Sequence, residues 1–383
     1  MATPMTSCER LLAAIRRQPV DYVPCCGFFN ALTPQQRRGY TWNFPWPRDA
    51  RYEEQLRYQV EQLGLDQIVP VAVDAIQPEP GIESRTWLDG DMLHKSYATP
   101  AGELHAAIRY NDLWPHGKDI PFYTDFNIGH FVEPWLQTHE DLECFKQLRA
   151  FAGDDYISKN TAALEQGKAL ARRYGLAIAA SVGMGLTGAQ QLFGAAELCL
   201  LTIDHPELVE AYLDHEHQLN LRLIELYADL GVDVIMRNGF YETADFYSPD
   251  TLERLLALRL FAEASAIRRH GMVSAYTVHT GVMPILDYLA RLPLDSYRGI
   301  DIAFNDVDMY KISEKLGADH AIWTGPSSTY HIWKGPAETR QAVRDVFECF
   351  DKRCLILCQC VSSHSIMPWE STLAMIDEWK KLR

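Results

Sequence analysis

The chain has 383 residues, of which 47% are hydrophobic and 23% charged, a composition that excludes a disordered or fibrous polymer and supplies a large core. Its 51 acidic residues outnumber 36 basic ones and give a formal charge of -15, which repels a phosphate backbone at long range and argues against a nucleic-acid partner. No apolar run approaches the ~20 residues that cross a bilayer, and the opening residues lack a signal-peptide stretch, so a soluble, cytoplasmic chain with no membrane partner is expected.

Taken in chain order, two early apolar runs, 23–28 and 67–73, have the composition of buried strands. The stretch from about 75 to 158 then breaks the rhythm and is rich in Trp, Pro, Asp and Gly. Within it, 92–98 and 104–110 flank Thr99-Pro100-Ala101-Gly102-Glu103 and predict a β-hairpin. From about 159 onward β-rich runs at 177–182, 232–236, 272–278, 296–302, 320–323 and 354–358 alternate with amphipathic stretches such as 206–230, 249–270 and 337–350. Ser248-Pro249-Asp250 and Gly335-Pro336 mark helix starts. Eight strands, each followed by a helix, predict an α/β chain folded as one (β/α)8 TIM barrel over 1–383, because closure pairs every parallel edge. The elaborated loop at 75–158 follows the second strand, where it would shape the mouth of a site or serve as a subunit contact. A homo-oligomer is left open.

The nine cysteines are an odd number in a chain with no export signal, so reduced thiols are expected, most of them packed as small hydrophobes. Cys25-Cys26 and Cys358-Gln359-Cys360 stand apart because each sits at a predicted strand end. His215 and His217 fall in the predicted 206–230 helix and read as surface residues. Ser362-Ser363-His364-Ser365 places hydroxyls beside a base without a nucleophile-elbow frame, a weak hydrolase signal.

The run from Arg10 to Pro24, RLLAAIRRQPVDYVP, resembles the helix-then-PVDRVP entry of the uroporphyrinogen decarboxylase and corrinoid-dependent methyltransferase superfamily. Gly185-Leu186-Thr187-Gly188-Ala189, Asp204-His205-Pro206-Glu207 and Gly231-Val232-Asp233-Val234-Ile235 follow in the family's order, as do Gly299-Ile300-Asp301 and the segment 355–374. The decarboxylases carry an arginine-rich segment after the first strand, an aspartate after the second and a tyrosine after the third. Here those places read Gly27-Phe28-Phe29-Asn30-Ala31-Leu32, with no arginine before Arg37, and Gln190-Gln191-Leu192-Phe193; only Asp74 matches. A substrate with eight carboxylates needs cationic partners, so uroporphyrinogen decarboxylation is disfavoured.

The methyltransferase branch implies a histidine after the fifth strand and a cysteine after the eighth, positions taken by His279 and Cys360. With Glu242 after the fourth strand they make a candidate set for zinc, which accepts mixed nitrogen, sulfur and oxygen donors. The thiol-methylating members carry His-x-Cys where this chain has His279-Thr280-Gly281, so Cys358 or His364 would have to compensate, or the site is metal-free. Asp74, Asn238, Asp301 and Tyr330 fall at or just after strands and are candidates to position substrate or move a proton. The resemblance implies methyl transfer from a small methylated donor to a corrinoid protein, the corrinoid arriving on that partner. Trp87, Trp114, Phe122 and Tyr123 are expected to suit an apolar donor. A metal-independent decarboxylase centred on Asp74 and a non-catalytic barrel that acts as a binding partner are the alternatives.

Overall fold

Short runs of Val, Ile, Leu and Ala, apolar at nearly every position, are what a parallel sheet covered on both faces requires. The computed structural model, which describes residues 4–27, 51–304, 306–360 and 368–383, places seven such runs in one curled parallel sheet. The first is β1, Ile68–Val71. The segment that follows contributes β2, Ile76–Gln77, β3, Glu83–Asp89, β4, Met92–Thr99, β5, Gly102–Arg109, β6, Phe131–Glu133, and β7, Ala150–Phe151. The main sheet resumes with β8, Ala177–Val182, β9, Val234–Asn238, β10, Val273–Thr277, β11, Ser296–Asp301, β12, Ala321–Gly325, and β13, Leu355–Leu357, in the order β1-β8-β9-β10-β11-β12-β13. Every neighbouring pair is parallel.

The strand expected at 23–28 differs. Cys25 alone forms a parallel bridge, to Leu357, while Phe28 lies outside the described residues. Pro24 has no N–H to give a ladder, so only its carbonyl pairs, accepting from Leu357 N–H at 2.9 Å. On the other side Asp66 N–H donates to the Cys25 carbonyl at 2.9 Å. The strand expected at 232–236 runs instead from Val234 to Asn238, and Asp233 just before it pairs through its backbone with the Ile178 carbonyl and the Val273 N–H, both at 3.0 Å, while its carboxylate accepts the Ile178 N–H at 2.8 Å.

Side chains alternate across the sheet. Ala177, Ala179, Val234, Met236, Val273, Ala275, Ala321, Trp323, Ile356 and Cys358 face the concave interior as one apolar cluster. Their neighbours, among them Ile178, Ala180, Ile235, Tyr276, Tyr297 and Leu355, face the helices. The helix Pro206–Asp229 begins on proline, and Pro249–Leu252 runs through a single π-turn into Leu258–Arg269.

Helix α1, Ser7–Ile15, opens on a capping box in which Thr6 and Glu9 satisfy each other's backbone N–H groups. Its Leu11, Ala14 and Ile15 enter the inner cluster. Cys8 N–H donates to Gly175 O just before β8, and Arg16 reaches Gly271 O just before β10, which sets α1 across the amino-terminal ends of the strands. Arg10 fastens it there through Asp21 and Asp66, both at 2.6 Å.

Between β1 and β8 lies a second, antiparallel sheet of four strands in the order β3-β4-β5-β6. The hairpin closes with Thr99 opposite Gly102. β3 was not legible in the sequence because most of its residues are exposed and carry no apolar alternation. Loss of the α1 plug is expected to be costly: Leu11→Ala should lower the unfolding free energy by about 2–5 kcal/mol, measured as a shift in the urea midpoint.

Candidate active site at the carboxyl ends of the strands

The inward phase of each strand decides which polar groups reach the interior. On β8 it runs Ala177, Ala179 and ends on Ser181, and on β9 it runs Val234, Met236 and ends on Asn238. On β11 it includes Ser296 and Arg298, after which the pairing with β12 shifts between Arg298 and Ile300. This β-bulge inserts Gly299, at φ +84°, and resets the alternation. Ile300 therefore packs in the outer apolar layer, and Asp301 takes the inward phase. A cavity of about 430 Å³ opens here, lined by Ile68, Pro70, Ala179, Ser181, Met236, Asn238 and Arg298 among others. Of the residues proposed from sequence, Asn238 lines it.

His279, two residues beyond β10, donates from Nδ1 to the Gly299 carbonyl at 2.8 Å. A carbonyl can only accept, so in the neutral ring Nδ1 carries the hydrogen and Nε2 the lone pair. Phe240 stacks on the ring at 5.3 Å and 10° between planes. A Cβ on Gly299 would meet the imidazole at 2.8 Å, so the bulge needs glycine both for its backbone angle and for this close approach.

Asp301 is buried, and both carboxylate oxygens are used: one accepts the Ala303 N–H at 2.9 Å, the other the Ser327 hydroxyl at 2.8 Å. Ser327 N–H in turn donates to His331 Nδ1 at 3.1 Å, and burial holds the His331 pKa below its ordinary value. Cys360 is wholly buried, with its thiol donating to the Ile300 carbonyl at 3.1 Å. Burial pushes that thiol well above the usual range.

Glu242 stands elsewhere. The turn after β9 carries it to the helix side of the sheet, where Oε1 accepts the Leu186 N–H at 2.7 Å at the start of the helix Gly185–Phe193 and the Arg237 guanidinium at 3.3 Å. Oε2 accepts the Tyr276 hydroxyl. Arg237, on the outward phase of β9, also pairs with Glu263 at 3.3 Å, and Glu263 accepts from His217 at 2.9 Å and Asn220 at 3.0 Å. Two glutamates and one arginine are thus buried together between sheet and helices. His217, expected at the surface, belongs to this network because the helix Pro206–Asp229 turns it toward Glu263. Burial raises the Glu242 pKa. The same burial acts on Glu263 but is outweighed by His217 and Arg237, and its pKa falls below the ordinary 4.5.

Glu242, His279 and Cys360 are therefore not brought together as one set of ligands, and among the described residues no three His, Cys, Asp or Glu side chains form a group fit to hold a metal ion. Cys358 is buried in the inner cluster, whereas His364 and the Ser362-Ser363-His364-Ser365 run lie outside the described residues. All nine cysteines are free thiols. Asp74 is exposed beyond β1 and accepts the Tyr156 hydroxyl at 3.5 Å. Tyr330 is exposed on the turn after β12, with its ring against Phe304 at 5.3 Å. The four aromatic residues expected to meet the donor serve the 75–158 segment itself. Phe122 packs on Trp135 and Phe145, Trp87 stacks on His94 and His105, Tyr123 lies under Arg149, and Trp114 is buried. Sequence reasoning missed Arg298 and Arg237. The available signal was a lone charge inside an otherwise apolar strand.

No protein-family model matches the chain, and no curated protein matches it significantly. Among solved structures it is similar to a methyltransferase from Methanosarcina mazei, with 17% identity and a TM-score of 0.61 over 98% of this chain and 99% of that one, a likeness that shows a shared fold. It is also similar to a B12-independent methionine synthase from Shewanella sp. W3-18-1, with 13% identity and a TM-score of 0.41 over 57% of this chain and 66% of that one.

Arg237→Met would strand two buried carboxylates and is expected to lower stability by about 3–5 kcal/mol, read from urea unfolding. Because the Glu263 pKa is depressed in the folded state, its contribution is present above about 4.5 and is lost as pH falls through the lower folded value. Glu263→Gln should therefore flatten the acid limb of a plot of unfolding free energy against pH.

Proposed function

We propose that the chain is a methyltransferase, moving a methyl group from a small methylated donor to a corrinoid cofactor carried by a separate protein, on a closed (β/α)8 barrel completed by the bridging segment around Cys25. The observation that carries this reading is the likeness to the Methanosarcina mazei methyltransferase along essentially the whole of both chains. A fold hosts many chemistries, so local support matters. It comes from a cavity at the carboxyl side of the sheet with Asn238 on its wall, and from His279 and Asp301 on the same inward phase of neighbouring strands.

In this reading the donor lies against Ile68, Pro70 and Met236, with its polar end toward Asn238 and Ser181. For an O-methyl donor, the bond between methyl carbon and oxygen breaks with its electron pair left on oxygen. That oxygen then needs a proton. In its imidazolium form, with Nδ1–H held by the Gly299 carbonyl, His279 supplies it from Nε2 and returns to the neutral ring, while the reduced corrinoid of the partner protein would provide the electron pair that takes up the methyl group. Asp301 fixes the loop after β12 through Ser327. Zinc was the metal expected from sequence, but the side chains of Glu242, His279 and Cys360 are not gathered into a common centre that could hold it.

The test is transfer from a panel of methanol, methoxyphenols and methylamines to reduced cobalamin, followed by the change in cobalamin absorbance. Turnover is expected with one donor class, and His279→Ala should lower its rate by about a hundredfold or more. Carbon dioxide release from a carboxylated substrate without methyl transfer would overturn the reading in favour of decarboxylation. Neither activity, with a stable protein complex, would overturn it in favour of a binding role.

A further inference from the structure

Arg298 places a cation in an otherwise apolar layer of the interior. It sits mid-strand on β11, on a phase otherwise occupied by Ala275, Ala321, Trp323, Ile356 and Cys358, and its side chain borders the cavity. Its Nε is buried, its guanidinium carbon lies 5.5 Å from the centre of the Trp323 ring, and its electrostatic neighbours include the thiols of Cys26, Cys358 and Cys360. Burial lowers its pKa from the ordinary guanidinium value, a sign of how strongly this environment disfavours charge. Burial also raises the pKa values of Cys26 and Cys360, so those thiols stay protonated beside it.

Asn238 and Ser181 share the cavity wall with Arg298. Among the described residues neither the Asn238 amide nor the Ser181 hydroxyl has a hydrogen-bond partner, although Asn238 stands at the end of β9 and Ser181 near the end of β8. Among the other described residues of the wall, Gln67 and Tyr227 add polar side-chain atoms and the remainder are mostly apolar. A cation, an amide and a hydroxyl around an apolar pocket of about 430 Å³ make the arrangement that orients a small organic anion.

We propose that this cavity binds the carboxylate of a small, largely apolar acid, with the Arg298 guanidinium as its charged partner and Asn238 and Ser181 as flanking hydrogen-bond groups. A carboxylate fits better than a phosphate. One planar guanidinium matches a planar two-oxygen group. Phosphate sites in barrels of this kind use backbone N–H groups of loops and helix starts, whereas Arg298 projects from within a strand. As the substrate class of the proposed reaction this rests on the methyl-transfer reading, with the methyl donor or its demethylated product carrying the carboxylate.

The experiment is isothermal titration of the full chain with benzoate and with benzamide, its neutral counterpart of the same shape, for the wild type, Arg298→Met, Arg298→Lys and Asn238→Ala. Benzoate is expected to bind the wild type at least about tenfold more tightly than benzamide. Arg298→Met should remove that preference, Arg298→Lys should weaken it, and Asn238→Ala should reduce benzoate affinity. Circular dichroism checks that each variant folds. If Arg298→Met does not fold, the wild-type contrast and Arg298→Lys decide. Equal binding of the two probes, a preference that survives Arg298→Met, or no saturable binding of benzoate would overturn the assignment. Charge-selective binding without methyl transfer would leave this site standing and remove the reaction. Methyl transfer without charge selectivity would do the reverse.

Discussion

Two-residue alternation along the parallel strands is the constraint on which the rest of the molecule depends. Because the sheet is covered by helices on one side and curls around a packed interior on the other, each strand residue must suit one layer or the other. Small and flat side chains such as Ala177, Ala179 and Ala275 occupy the inner layer, where α1 also inserts Leu11 and Ile15. Bulkier and hydroxylated rings such as Tyr276 and Tyr297 go outward, where space between helices and hydrogen-bond partners are available. The same period carries polar residues at strand ends to the interior side, which is how Ser181 and Asn238 come to border one cavity.

Two arginines show what the period does to a charge. Arg237 follows an inward residue and so faces the helices, where Glu242 and Glu263 neutralise it and the start of the helix Gly185–Phe193 stabilises Glu242 further. Arg298 precedes the bulge and faces the cavity. One extra residue, Gly299, separates these roles along β11. It sends Ile300 out, brings Asp301 in, and offers the carbonyl that orients His279. Three features of the candidate site thus rest on one glycine, and a change there would disturb all of them together.

The segment between β1 and β8 is a small structure in its own right. Its sheet shares an apolar core with the helices beside it, built from residues such as Leu104, Ile108, Trp135, Phe145 and Tyr212. The aromatic content that suggested a donor-binding mouth is spent on this packing. Composition cannot tell an aromatic residue that lines a site from one that fills a core, because both are removed from water and both gain from ring contacts.

The sequence by itself determined the alternation of strands and helices, the boundaries of most strands to within a residue or two, and the placing of Asn238, His279 and Asp301 near strand ends. These follow from local chemistry: apolar runs of strand length, proline at helix starts, and a period that is a property of the backbone. The tertiary structure decided which face each residue met. Glu242 follows strand-end Asn238 by four residues, yet a short turn and the pull of Arg237, Tyr276 and the Leu186 N–H took it to the opposite side of the sheet. His217 moved from an expected surface into a buried network for the same reason: Glu263 stood across from it. Arg298 was visible as a residue but not as a cavity group, since whether a charge in a strand points at glutamates or at an open pocket depends on strand phase, on the bulge that follows, and on neighbours far away in the chain.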